Sequence, residues 1–104
     1  MSKLEEIKNA MTNEDKPLLV VISSTWCGPC RQLKKFIEED SSIRSSFTIV
    51  YLGIDEDMSV ASEVMTWSAQ EFRSVPVTMK YQKGTWTAHR GFTSSREFID
   101  FLSK

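Results

Sequence analysis

Leu18-Leu19-Val20-Val21-Ile22, followed shortly by Trp26-Cys27-Gly28-Pro29-Cys30, is the stretch on which the fold of this chain turns. Five apolar residues without a polar break suit a central strand covered on both faces. Behind Cys27 the pattern changes to helical spacing, with Leu33, Phe36 and Ile37 as one stripe and a stop near Ser41-Ser42. The reading is therefore strand, short loop, helix, with the two cysteines at the helix start.

Working outward, Leu4, Ile7, Lys8 and Met11 recur at helical spacing after Ser2, an N-cap with Glu5 three residues later as a capping box. On the other side, residues 47–54 read as a second buried strand ending at Asp55. Residues 58–72 follow as a long helix placing Val60, Val64, Trp67 and either Met65 or Phe72 on one face, with its aromatic and Met positions taken as core. Residues 76–82 and 85–90 are strands around Lys83-Gly84, a hairpin turn whose glycine permits positive φ. A last helix from about Ser94 to Leu102 carries Phe98, Ile99, Phe101 and Leu102, with Ser94 or Ser95 as cap. The order is α-β-α-β-α-β-β-α in one domain spanning residues 1–104. Crossover helices imply parallel strands and the hairpin an antiparallel pair, giving an α/β fold with one mixed four-stranded sheet and helices on both faces. Sites in such sheets form beyond the carboxyl ends of strands, where Cys27 falls.

Composition narrows the function. The chain has 104 residues, 40% hydrophobic and 26% charged, with 13 basic against 14 acidic residues. A balance of -1 offers no field for phosphate backbones or anionic lipids, so neither nucleic acid nor a membrane is an expected partner. Arg31, Lys34 and Lys35 face Glu38, Glu39 and Asp40 one turn later, as a solvated helix face does. No stretch reaches the roughly 18 apolar residues of a membrane span, and the polar start lacks a signal peptide's apolar region. The expectation is a cytoplasmic monomer, and two cysteines close together in a reducing compartment point to redox chemistry or metal.

A bare C-x-x-C serves zinc, haem and redox sites alike. Zinc needs four ligands, and beyond the two thiols there is only His89 on a distant strand. Haem attachment needs His after Cys30, where Arg31 stands. No metal and no cofactor is therefore expected. A redox dithiol needs a first sulfur able to become thiolate and a second close enough to expel the partner from a mixed disulfide. Spacing of i, i+3 at a helix start supplies that; Gly28 lets a substrate backbone approach, and Pro29 has φ preset for the first turn. The helix dipole favours the Cys27 anion by only about 0.3–1 kcal/mol, so a hydrogen bond from the Cys30 thiol has to supply the rest. Cys27 reads as nucleophile and Cys30 as resolving thiol. Trp26 reads either as a flat apolar surface for partner docking or as packing over the helix start.

The string Trp26-Cys27-Gly28-Pro29-Cys30 between an apolar strand and a helix resembles the active site of the thioredoxin family. The similarity extends to Ser74-Val75-Pro76-Val77-Thr78, Ile54-Asp55, Lys83-Gly84 and Arg90-Gly91-Phe92. That resemblance implies a cis Pro76 lying against the dithiol, Val75 offering its backbone to substrate, and Gly91 lining the docking groove. It also implies protein disulfide reduction, with disulfide-containing proteins as substrates and a flavin-dependent reductase or glutaredoxin-like donor as partner. The chain departs from the family in several places. No N-terminal edge strand is expected. Val21 stands where the family buries an acid and Tyr51 where its lysine partner lies. Lys35 replaces a kinking proline, and the segment from Asp55 to Pro76 is longer than usual. Asp55, at a strand end, reads as a proton relay through water or as a turn residue. Two other functions stay open: a binding module using the Trp26, Pro76 and Gly91 surface with dispensable cysteines, and a glutaredoxin-like or disulfide-donating variant.

Overall fold

The computed structural model describes residues 2–13, 15–71 and 74–104. Helix α1 (Lys3–Thr12) is capped by Ser2, whose side chain accepts from the Glu5 amide. Strand β1 (Leu18–Ser23) leads through a short loop into α2 (Gly28–Glu39). A six-residue helix α3 (Ser41–Ser46) precedes β2 (Thr48–Gly53), and α4 (Met58–Ser68) precedes the hairpin β3 (Val77–Gln82) and β4 (Thr85–Arg90). Helix α5 (Ser95–Ser103) closes the chain, capped by Ser94.

The sheet order is β2-β1-β3-β4, so the apolar run lies centrally, as its sequence requires. Alternation along β1 splits the core into two layers. Leu18, Val20 and Ile22 join Ile7, Val50, Leu52, Ala61, Val64, Val77 and Met79 on the face covered by α1 and α4. Leu19 and Val21 join Leu33, Ile37, Ile43, Phe98 and Phe101 under α2, α3 and α5. Each such fully buried side chain contributes about 1.5–3 kcal/mol relative to exposure. Lys83 and Gly84 both take positive φ, the conformation of a two-residue I′ turn, and this holds the β3–β4 register with Gln82 opposite Thr85.

Several expectations need correcting. Strand β3 runs antiparallel to β1, not parallel, because after α4 the chain re-enters the sheet at the end where β1 and β2 finish, pairing Val77 with Ile22. Strand β2 is an edge strand with a half-exposed pattern, since no strand among the described residues covers its outer side. Helix α2 stops at Glu39, close to the expected stop near Ser41-Ser42, but a further short helix, α3, follows that the expected element order lacks. Asp40 closes α2 and caps α3 through the Ile43 amide, which drives Ile43 into the core. Helix α4 stops at Ser68, where Ala69 turns left-handed with φ 56° and returns its amide to Met65 and Thr66; Phe72 lies outside the described residues. Lys8 and Ile99, read with apolar stripes, face solvent.

Lys80, on the all-buried start of β3, is only 3% exposed. Its Nζ donates to the carbonyls of Phe101 and Leu102 in the last turn of α5, where Phe101 also accepts from the Lys104 amide, and lies over the Phe101 ring. Burial, and secondarily Lys104, lowers its pKa. Lys34 leans over the Tyr51 ring, and Lys35 reaches Glu39 one turn on, so the basic cluster is a solvated face as expected.

Candidate functional site

Cys27 ends the loop after β1 and is the N-cap of α2, with its Sγ accepting from the Cys30 amide at 3.2 Å. The two cysteines are joined as a disulfide, their Cα atoms 5.2 Å apart, within the range that bridging requires. Pro29 sits in the first turn, where a missing N–H is harmless. Oriented amides at the helix start therefore face the Cys27 sulfur, which favours its anion once the bond is reduced.

The Val75-Pro76 peptide is cis, and the Val75 carbonyl oxygen lies 3.6 Å from Cys27 Sγ. The Gly91 amide donates to the Pro76 carbonyl at 2.7 Å, with Gly91 at φ 80°, a conformation that penalises a side chain. Val75 is thus brought against Cys27 from far along the chain, with cis-Pro76 next to it and Gly91 bonded to that proline. Trp26 is 70% exposed, so it does not pack over the helix start.

The exposure of the sulfurs is unequal. Cys27 keeps 8% of its surface and opens into an apolar groove of about 580 Å³ lined by Trp26, Cys27, Pro29, Ile54, Met58, Ser74 and Val75. Cys30, 3% exposed, lines a separate cavity with Ser24 and Asp55. Asp55 is exposed and accepts from Thr25 Oγ1 at 3.3 Å. Gly28 stands half-exposed beside the pair, with no atom within 4 Å of where a side chain would begin. Gly91 contacts the cis-proline and is not among the residues lining the Trp26 groove.

Met58, 49% exposed, is the groove residue that sequence reasoning missed. Its place in the first turn of α4, just past the end of β2, puts it at the same sheet end as Cys27. Ser24 was also missed, since nothing in its type distinguishes it from a loop serine. Where the family places its buried acid and lysine, Val21 and Tyr51 pair directly across β1 and β2. Burial is the main cause that raises the Tyr51 pKa, followed by Glu38, with Arg44 opposing. Among the described residues no group of three or more His, Cys, Asp or Glu side chains could hold a metal, and no helix is long and apolar enough to cross a membrane.

A mixed sheet whose central strand delivers a cysteine pair to a helix start, with a cis-proline against it, defines a thioredoxin-type dithiol fold. Comparison with known proteins agrees: the family described as thioredoxin-like domain matches residues 4–104, and the chain belongs to it. Thioredoxin of Rickettsia felis is 27% identical over 99 residues, 93% of this chain and 89% of that protein. Human thioredoxin is 33% identical over 70 residues, covering 67% of this chain and 61% of its own length. Among solved structures, chloroplastic thioredoxin z aligns with a TM-score of 0.74 at 18% identity, over 95% of this chain and 86% of that one. Fasciola hepatica thioredoxin aligns at 0.71 and 17%, over 96% and 89%. At such identities these two speak for the fold alone. Family membership and the cysteine pair together support thiol–disulfide oxidoreductase chemistry.

Proposed function

We infer that the chain reduces disulfides in other proteins. The observation that carries this is the Cys27–Cys30 pair at a helix start, with Cys27 open to an apolar groove and the Val75 carbonyl beside it. Cys27 thiolate attacks a substrate disulfide, forming a mixed disulfide and releasing one substrate thiolate. Cys30, deprotonated, then attacks Cys27 Sγ, closing the Cys27–Cys30 bond and releasing the second. Two electrons pass to the substrate, and its two thiolates take up protons. Trp26, Gly28 and Pro29 form one wall of the docking surface; Val75, Pro76 and Gly91 form the other, with the Val75 backbone pairing to an extended substrate. Asp55 relays protons. A flavin-dependent reductase or glutaredoxin-like donor restores the dithiol of this single-domain protein in the cytoplasm.

Insulin reduction driven by dithiothreitol tests the reading: wild type is active, Cys27→Ser is inactive, and Cys30→Ser accumulates mixed disulfides. Activity that survives Cys27→Ser would sink it. The missing buried acid at Val21 favours one rival, a binding module with idle cysteines. That rival requires the Cys27→Ser, Cys30→Ser double variant to retain every partner captured by Cys30→Ser.

A further inference from the structure

Resolution demands that Cys30 lose a proton, yet Cys30 is 3% exposed and does not line the groove that Cys27 opens into. On the sheet side the cross-strand neighbours of Val21 are Tyr51 and Thr78, and no carboxylate stands among them. What Cys30 does line is a second cavity, of about 310 Å³, shared with Ser24, Thr25 and Asp55. Its floor is buried and its rim is wet: Ser24 and Cys30 are enclosed, while Thr25 and Asp55 are exposed. That volume has room for water.

Ser24 adds an independent observation. Its residue is buried, its Oγ is shielded from solvent, and no protein group hydrogen-bonds to it. A hydroxyl in that condition lacks a protein partner, and turning it toward the cavity that its residue lines would bring it to water. Thr25 Oγ1 already donates to Asp55 Oδ2, so one end of a chain of hydrogen bonds is in place.

We propose that this cavity is the proton exit of the resolution step, in which Ser24 and bound water pass the Cys30 proton outward to the Asp55 carboxylate. The proposal rests on the dithiol exchange described above. The Cys30 S–H bond breaks, a proton moves along the water and hydroxyl chain, and Asp55 takes one up and releases it to solvent. The thiolate left behind attacks Cys27 Sγ, and the substrate sulfur departs with the electron pair of the broken bond. Ser24 and Asp55 act through water, so they are positioning residues. The charged groups around the cavity are Arg31 and Lys34 from α2, and Glu56 beside Asp55.

The test follows the reduced protein in stopped flow with 5,5′-dithiobis(2-nitrobenzoate). The first thionitrobenzoate reports attack by Cys27 and the second reports resolution by Cys30. Ser24→Ala and Asp55→Asn should each slow the second phase at neutral pH by roughly tenfold, less than the ~100-fold of a base in direct contact because water still enters. The first phase should not change. The deficits should vanish at alkaline pH, where hydroxide takes the proton, and the double variant should be no slower than the slower single one. A second phase unaffected at every pH overturns the proposal. So does equal slowing of both phases, or single losses that multiply in the double variant. Failure of dithiol exchange itself looks different: wild type would release no second equivalent, or Cys30→Ser would still release two.

Discussion

Replacing Val21 by Asp puts a carboxyl where related proteins carry one, into a place this chain has built for a hydrocarbon. Val21 is fully buried between Tyr51 on β2 and Thr78 on β3, with Leu33 and Ile37 in the same layer. Losing the valine forfeits about 2 kcal/mol of apolar burial. The Thr78 hydroxyl, buried and without a protein partner, can donate one hydrogen bond to the acid, but no lysine opposes it. Burial then raises the carboxyl pKa by about 3 units, each worth about 1.4 kcal/mol. The sign follows: a raised acid keeps its proton in the folded state, so stability is intact below the ordinary carboxylate value and falls as pH climbs through the folded one. Near pH 4 the variant should lose about 2 kcal/mol, and near pH 8 about 6, comparable with the whole stability of a domain this size. Urea titrations of wild type, Val21→Asp and the uncharged control Val21→Asn, followed by tryptophan fluorescence, measure this. A Val21→Asp deficit that stays flat across that range, or matches Val21→Asn throughout, refutes the reasoning.

Other outcomes follow from the packing and the turns. Asp57 accepts the Gly53 amide and the Lys3 ammonium, each at 3.0 Å, and the Gly53 bond chiefly lowers its pKa. Asp57→Ala should cost about 2 kcal/mol at neutral pH, a gap that closes on acidification as wild type loses the charge; a gap constant down to acid unfolding contradicts it. Phe98 is fully buried among Phe36, His89, Phe92 and Phe101, so Phe98→Ala should cost about 3–5 kcal/mol in chemical denaturation, and a loss under about 1 would show that α5 does not anchor that layer. Gly91→Ala meets open space, so only its positive φ resists; about 1–2 kcal/mol is expected from thermal melts, and no loss at all would mean that the strand end relaxes freely.

The local signals were legible wherever one residue type has one physical use. The unbroken run at 18–22 required a central strand. Ser2, Ser94, Pro29 and Gly84 marked caps, a first turn and a hairpin because each satisfies or frees specific backbone groups. Illegible were features whose cause lies elsewhere in the chain. Asp40 could end one helix or start the next, and the burial of Ile43 decided for both. Met58 carries the same hydrophobicity as Met79, yet one is half-exposed and the other core, because only packing around it separates them.

Sequence alone determined the four strands, the helices other than α3, the hairpin, and the placing of two cysteines at a helix start, since all of these follow from periodicity, turn chemistry and i, i+3 spacing. Tertiary structure decided the direction of β3, the edge position of β2, and the approach of the Val75 carbonyl to Cys27. It also decided that the two cysteines line different cavities, Cys27 one with Trp26 and Cys30 one with Asp55. These depend on which segments meet across the sheet, and no local pattern encodes a distance between residues so far apart in the chain.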